Sequence, residues 1–239
     1  MGTIVLIPGH GCTPQVFDAQ VRALSPQYRC ICIDLRDYTT VDEVIADILN
    51  KAPDKFVILG FSLGAVIALQ LAQQASDRIQ GLIHISAPFE GPSDRLLQEL
   101  PAICKNLPGM NFMEFINSGY QKYFPDRSVN DPLYIIFKQM LIDTGKKHYI
   151  DQAHMLLQPW SLKPSAHDTH PVLIIGGEHD HRALPEYHQA MHQQLKTSEL
   201  HFIPNAKHFV TLEQPDLTNQ VITNWLIKLA WHLKRQARL

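Results

Sequence analysis

Gly60-Phe61-Ser62-Leu63-Gly64 is a G-x-S-x-G run between an apolar stretch, Phe56-Val57-Ile58-Leu59, and a segment of helical character beginning at Leu63. A serine at such a strand-to-helix turn can act as a nucleophile, and flanking glycines avoid collisions across the turn. The helix start adds free N–H groups and positive potential beside the hydroxyl oxygen. A hydroxyl reacts only when a base takes its proton, and the base needs a group that fixes its tautomer. Two later segments offer both. Gly176-Gly177-Glu178-His179-Asp180 follows the apolar run Val172-Leu173-Ile174-Ile175, and Asn205-Ala206-Lys207-His208-Phe209 follows Leu200-His201-Phe202-Ile203. The order nucleophile, acid, base accompanies this kind of turn. Glu178 and Asp180 compete as the acid. His208 is preferred as the base over His179 and His181, which adjoin the acid in sequence and would have to fold back on it.

Acyl transfer also needs two backbone donors aimed at the oxyanion. One is the N–H of Leu63, the residue after the nucleophile. The second is expected from the loop Pro8-Gly9-His10-Gly11-Cys12, through the N–H of His10 with Gly11 as the alternative. Cys12 is read as a buried small residue, since no base is paired with it.

These loops must be presented by a scaffold, and the chain supplies one. Six short apolar runs, at Ile4-Val5-Leu6-Ile7, Cys30-Ile31-Cys32-Ile33, Phe56-Val57-Ile58-Leu59, Leu82-Ile83-His84-Ile85, Val172-Leu173-Ile174-Ile175 and Leu200-His201-Phe202-Ile203, alternate with helical patterns. Near-continuous apolar strands suit a parallel sheet covered on both faces. Helices are expected over 16–24, 40–50, 63–75, 185–196 and 215–231, which makes a doubly wound α/β sheet. The alternation stops between about Pro88 and Pro164. There only helix-like segments appear, at 94–107, 111–124, 131–144 and 146–157, so the stretch reads as a helical insertion. The expected division is therefore an α/β core of residues 1–87 and 165–239 carrying a helical cap of residues 88–164. The cap aromatics Phe112, Phe115, Tyr120, Tyr123, Phe124, Tyr134 and Phe137 are expected mostly in its interior, with some facing an apolar pocket.

Composition sets limits on the chemistry. The chain has 239 residues, 45% hydrophobic and 18% charged, with 21 Lys or Arg against 23 Asp or Glu. Without a positive field, a nucleic-acid or anionic-membrane partner is not expected. The four cysteines, Cys12, Cys30, Cys32 and Cys104, form no CxxC pair or dense framework, and the start Met1–Gly9 lacks a basic leader. Reduced thiols in the cytoplasm are expected. No apolar run has the length of a membrane span. His188 and His192 stand at i, i+4, but a zinc site needs a third ligand, so these and His179 and His181 are read as solvated and no metal or cofactor is expected.

The serine turn, the Pro8-Gly9-His10 loop, Asp180, His208 and the trailing Leu212-Glu213-Gln214-Pro215 together resemble the α/β-hydrolases, specifically a small carboxylesterase-like branch with a helical cap. The resemblance implies Asp180 rather than Glu178 as the acid, and a mostly parallel six-stranded sheet without the family's leading hairpin. Ala52-Pro53-Asp54-Lys55 before the serine turn is similar to the esterases that act on pimeloyl carrier-protein methyl esters. Two features depart from the family: Pro8-Gly9 stands where His-Gly is common, and Asp37-Tyr38-Thr39-Thr40 replaces a glycine-rich turn. From Ser93 to Lys163 there are eight Lys or Arg against seven Asp or Glu, a poor grip for an acidic carrier protein. The expected activity is hydrolysis of a small, mostly apolar carboxylic ester through an acyl-enzyme on Ser62. Thioester hydrolysis, acyl transfer and carbon–carbon cleavage would use the same groups, and a non-catalytic binding protein could retain them. Relatives that cleave halides or epoxides need a carboxylate where this chain has Ser62.

Overall fold

The computed structural model describes residues 2–88, 91–158 and 170–236. Strands β1 (Gly2–Ile7), β2 (Tyr28–Cys32), β3 (Phe56–Phe61), β4 (Ile79–Ile85), β5 (Val172–Gly177) and β6 (Ser198–Ile203) form one sheet in the order β2-β1-β3-β4-β5-β6, every pairing parallel.

A strand sends successive side chains to opposite faces. Val5, Ile7, Ile58, Leu82 and Ile174 enter one core cluster, with Val44, Ile45 and Ile48 of α2 (Val41–Lys51) and Met191 of α7 (Pro185–Gln194). Ile4, Leu6, Leu59, Ile83 and Ile175 enter the other, with Leu24 of α1 (Asp18–Leu24) and Ile222, Trp225 and Leu226 of α8 (Pro215–Gln236). Both faces of the inner strands β1, β3, β4 and β5 are dry, so these read as near-continuous apolar runs, while the edge strands β2 and β6 are only half-buried. Each fully buried Leu or Ile contributes about 1.5–3 kcal/mol. Helix α3 (Leu63–Gln74) is apolar around its circumference because β3, β4, α2 and α6 (Pro132–Leu157) all pack against it.

Helices α4 (Asp94–Asn106), α5 (Phe112–Tyr123) and α6 lie between β4 and β5 in the chain. Ser93, Asn111 and Asp131 cap them by accepting from backbone N–H groups of their first turns. Gly145, at φ 67° and ψ 166°, breaks α6 between the two segments that the sequence separates at this point. Tyr120, Phe124 and Phe137 are buried where α5 meets α6, and their cluster is continuous with the sheet core. The expected boundary between residues 164 and 165 lies outside the described residues. Among the described residues no helix is long and apolar enough to cross a membrane.

The expected helix over 16–24 begins instead as a 3-10 turn, Pro14–Phe17, and becomes α-helical only at Asp18. Phe17, at φ −109° and ψ 9°, leaves helical geometry at the junction. The last helix runs beyond the expected Trp231 to Gln236.

The chain passes from β1 outward to β2, then returns across β1 to β3. Loops leaving β1 and β3 therefore diverge at the carboxyl edge of adjacent strands, the crevice where open α/β sheets bind ligands. The Pro8–Cys12 loop and Ser62 both sit there.

Candidate active site

Phe61 ends β3 and Leu63 begins α3, which leaves Ser62 alone in the turn at φ 53° and ψ −115°. A side-chain-bearing residue at such φ is strained by roughly 1–3 kcal/mol and persists only when its surroundings hold it. Its N–H donates to the Ile85 carbonyl at 2.9 Å, and its carbonyl accepts from the Ala65 and Val66 N–H groups. A Cβ on Gly60 would strike the Gly64 carbonyl oxygen, and one on Gly64 would strike that of Ile7. Both glycines are steric requirements of the turn.

His208 lies between Ser62 and Asp180. Its Nδ1 is 2.9 Å from Asp180 Oδ2 and its Nε2 is 3.2 Å from Ser62 Oγ. An ionised carboxylate only accepts, so Nδ1 carries the proton and Nε2 turns a lone pair to the serine hydroxyl. Burial alone would raise the Asp180 carboxyl. The facing His208 and the N–H groups of Arg182 and Ala183, which donate to Oδ1 at 2.7 and 3.0 Å, together hold it below the usual carboxylate value. Asp180 is thus ionised in a nearly water-free position.

The loop bearing His208 is tied to Glu213, whose carboxylate accepts from the N–H groups of Lys207 at 3.1 Å and Phe209 at 2.9 Å. The Tyr123 ring lies along one face of the imidazole, with centroids 5.5 Å apart and planes inclined by 29°.

In the loop after β1, the Gly11 N–H donates to Gln152 Oε1 at 2.8 Å. The Gly11 N–H is therefore already engaged. The N–H groups of His10 and Leu63 have no hydrogen-bond partner among the described residues. The His10 imidazole donates from Nε2 to the Tyr149 carbonyl at 2.9 Å, and burial lowers its pKa to about 4, so it is neutral at pH 7. Burial pushes the Cys12 thiol up to about 12, which makes it a poor nucleophile.

Ser62, His208 and His10 open onto a cleft of about 750 Å³, counted to its mouth, whose walls include Leu96, Leu100 and Leu156. His10, Tyr123 and Tyr149 also border a smaller space of about 370 Å³, lined by Phe115, Phe137 and Met140. Of the seven aromatics named in this stretch, Tyr120, Phe124 and Phe137 are buried, Phe115, Tyr123 and Phe137 border these spaces, and Phe112 and Tyr134 are only half-buried, so fewer are interior than expected.

Other sequence candidates are placed elsewhere. Glu178 is exposed and accepts from the Asn205 N–H, and His179 is exposed beside it. His181 Nε2 meets the Lys122 carbonyl at 2.6 Å. The expectation of a solvated His188 is overturned: it is fully buried under Gly176, with Nδ1 donating to the Leu184 carbonyl at 3.2 Å. Its neighbour His192 turns to Ser198 Oγ at 2.7 Å. Among the described residues no three His, Cys, Asp or Glu side chains converge as metal ligands would.

Residues 4–221 match the model of the Alpha/beta hydrolase family. The chain belongs to this family. A pimeloyl-[acyl-carrier protein] methyl ester esterase of Aliivibrio salmonicida is 39% identical over 92 residues, 35% of this chain and 35% of that protein. The alignment thus spans about a third of that relative's length. A thermophilic esterase from Thermogutta terrifontis superposes with a TM-score of 0.83 at 21% identity, covering 96% of this chain and 90% of the other. The enol-lactonase of Burkholderia xenovorans gives 0.81 at 18% identity, covering 95% and 91%. Likeness at such identities speaks for the α/β-hydrolase fold alone.

Three groups around the site escape sequence reasoning. Gln152 is 141 residues from the loop it holds and stands in a helix with no motif. Tyr123 carried only its place among the cap aromatics. Glu213 stood within the trailing Leu212-Glu213-Gln214-Pro215 run, which gave no sign that its carboxylate ties the loop bearing His208.

Proposed function

We propose that this chain is a serine hydrolase that cleaves a carboxylic ester through an acyl-enzyme on Ser62. The observation that carries the reading is the position of His208, in hydrogen-bond reach of Ser62 Oγ through one nitrogen and of Asp180 through the other.

Ser62 Oγ attacks the ester carbonyl carbon as its proton passes to His208 Nε2. The carbonyl oxygen becomes an oxyanion facing the N–H groups of His10 and Leu63, whose lack of partners supports that role. Collapse breaks the bond to the alcohol, which leaves with the proton from Nε2. Water then attacks the acyl carbon, gives a proton to Nε2, and releases the acid as the proton returns to Ser62. Asp180 keeps His208 in the working tautomer and stabilises the imidazolium.

The α/β core of residues 1–87 and 165–239 supplies these groups, and the cap of residues 88–164 sizes the substrate. The ester is preferred over a thioester or carbon–carbon bond because the partial sequence matches are to proteins named as methyl ester esterases. The mostly apolar cleft and balanced cap charge favour a small acyl ester over a carrier-bound one. The free cysteines support a cytoplasmic setting. The test compares p-nitrophenyl esters, acyl-CoA thioesters and a vinylogous diketone at equal concentration, each with the wild-type chain and Ser62→Ala. Preferential ester turnover, lost in the variant, is expected. A preference for another bond overturns the substrate class, and turnover unaffected by Ser62→Ala overturns the mechanism.

A further inference from the structure

Arg182 follows Asp180 by two residues and forms part of the cleft wall that contains Ser62 and His208. Its side chain is only 16% exposed, and the guanidinium carbon lies 5.1 Å from the centre of the Tyr123 ring. Nη1 is closed off from bulk water and has no hydrogen-bond partner. The nearest carboxylate oxygen, Glu99 Oε2, is 3.8 Å away, beyond hydrogen-bond length. Glu99 is also shared, because its Oε1 accepts from Arg95 Nε at 3.0 Å. One carboxylate thus serves two guanidiniums on the same wall of the cleft, leaving an excess of one positive charge. A cation drawn out of water without a full acceptor set is costly, and the ester chemistry above makes no use of it.

We propose that Arg182 receives a carboxylate carried by the substrate, so that the preferred esters bear one free carboxylate on an otherwise apolar chain. A planar guanidinium fork matches a carboxylate in shape and charge, and a single excess positive charge matches a monoanion. The apolar walls Leu96, Leu100, Ile103 and Leu156 take the intervening methylenes. Arg182 is placed to read the substrate because the loop after β5 to which it belongs is fixed to the site, its own N–H being bound to Asp180. This specificity rests on the ester reading of Ser62.

The test uses the full chain and two substrates of equal length, the p-nitrophenyl half-ester of adipic acid and p-nitrophenyl hexanoate, each assayed for kcat and KM. The wild-type chain is expected to favour the half-ester in kcat/KM. Arg182→Gln lowers the ratio of half-ester to hexanoate by about tenfold, mainly through KM. Glu99→Gln, which removes the competing carboxylate, raises the same ratio by about threefold. A wild-type chain without preference for the half-ester, or an Arg182→Gln variant with an unchanged ratio, overturns the proposal. Should Arg182→Gln fail to fold, Glu99→Gln decides, and a ratio that does not rise counts against it. Failure of the ester reading is separate: neither ester would be turned over, or turnover would survive Ser62→Ala.

Discussion

His208 Nδ1 lies 2.9 Å from the Asp180 carboxylate, and this contact decides which imidazole nitrogen faces Ser62. In Asp180→Asn the side-chain amide can donate to Nδ1, which drives the proton to Nε2 and removes the lone pair from the serine. The bonds from the Arg182 and Ala183 N–H groups can persist at the amide oxygen, so the fold is expected to survive by circular dichroism. Turnover of a p-nitrophenyl ester should fall by about 10⁴ in kcat. A loss below about tenfold would mean that Asp180 does not set the tautomer.

Gln152 fixes the loop whose His10 N–H is assigned to the oxyanion, through its bond to Gly11. Gln152→Met keeps the bulk and removes the acceptor. Its kcat should fall by about ten- to a hundredfold with a smaller change in KM, since a misplaced donor weakens the transition state more than the ground state. An unchanged kcat would show that the loop needs no such tether.

Gly64→Ala tests the steric account of the serine turn. The added Cβ meets the Ile7 carbonyl, a backbone atom at the end of β1 that cannot rotate aside. A loss of at least about 3 kcal/mol in unfolding free energy is expected from urea titration. A change below about 1 kcal/mol would contradict it.

Much of the core and the turn carrying Ser62 could be read from the chain because their signals are local, whereas the preference for Asp180 over Glu178 came only with the family resemblance. A strand buried on both faces must be apolar throughout, and a serine between two obligatory glycines advertises its turn. The histidine pair at i, i+4 misled for a physical reason: α7 turns His188 down onto β5, where Gly176 makes room for the ring, and periodicity alone does not reveal which face of a short helix is covered. Gln152 and the wall formed by Arg95, Glu99 and Arg182 were illegible because they depend on how α4 and α6 pack over the sheet edge. No spacing within the sequence encodes that contact.

Acid should destabilise the fold in a way that His10 reports. Its pKa is about 4 in the folded chain against an ordinary 6.5, so below pH 6.5 the unfolded chain binds a proton that the folded chain refuses. Stability should therefore be insensitive to His10 above pH 6.5 and decline as pH falls from 6.5 towards 4. The depressed Asp180 adds loss in the same direction at lower pH, its contribution vanishing as pH falls through its folded value. Urea unfolding at pH 7 and pH 5 checks this. The decline between the two should be smaller in His10→Gln, and an equal decline would exclude His10 from the acid response.

The most direct measurement is covalent capture by a fluorophosphonate, which reacts only with a serine whose proton has an acceptor and whose oxyanion has donors. Intact mass spectrometry of the folded wild-type chain should show a single adduct, mapped by peptide digestion to the segment containing Ser62. The adduct should be absent from Ser62→Ala and strongly slowed in His208→Ala. Folded wild-type chain that stays unlabelled, or an adduct that persists in Ser62→Ala, would contradict the account.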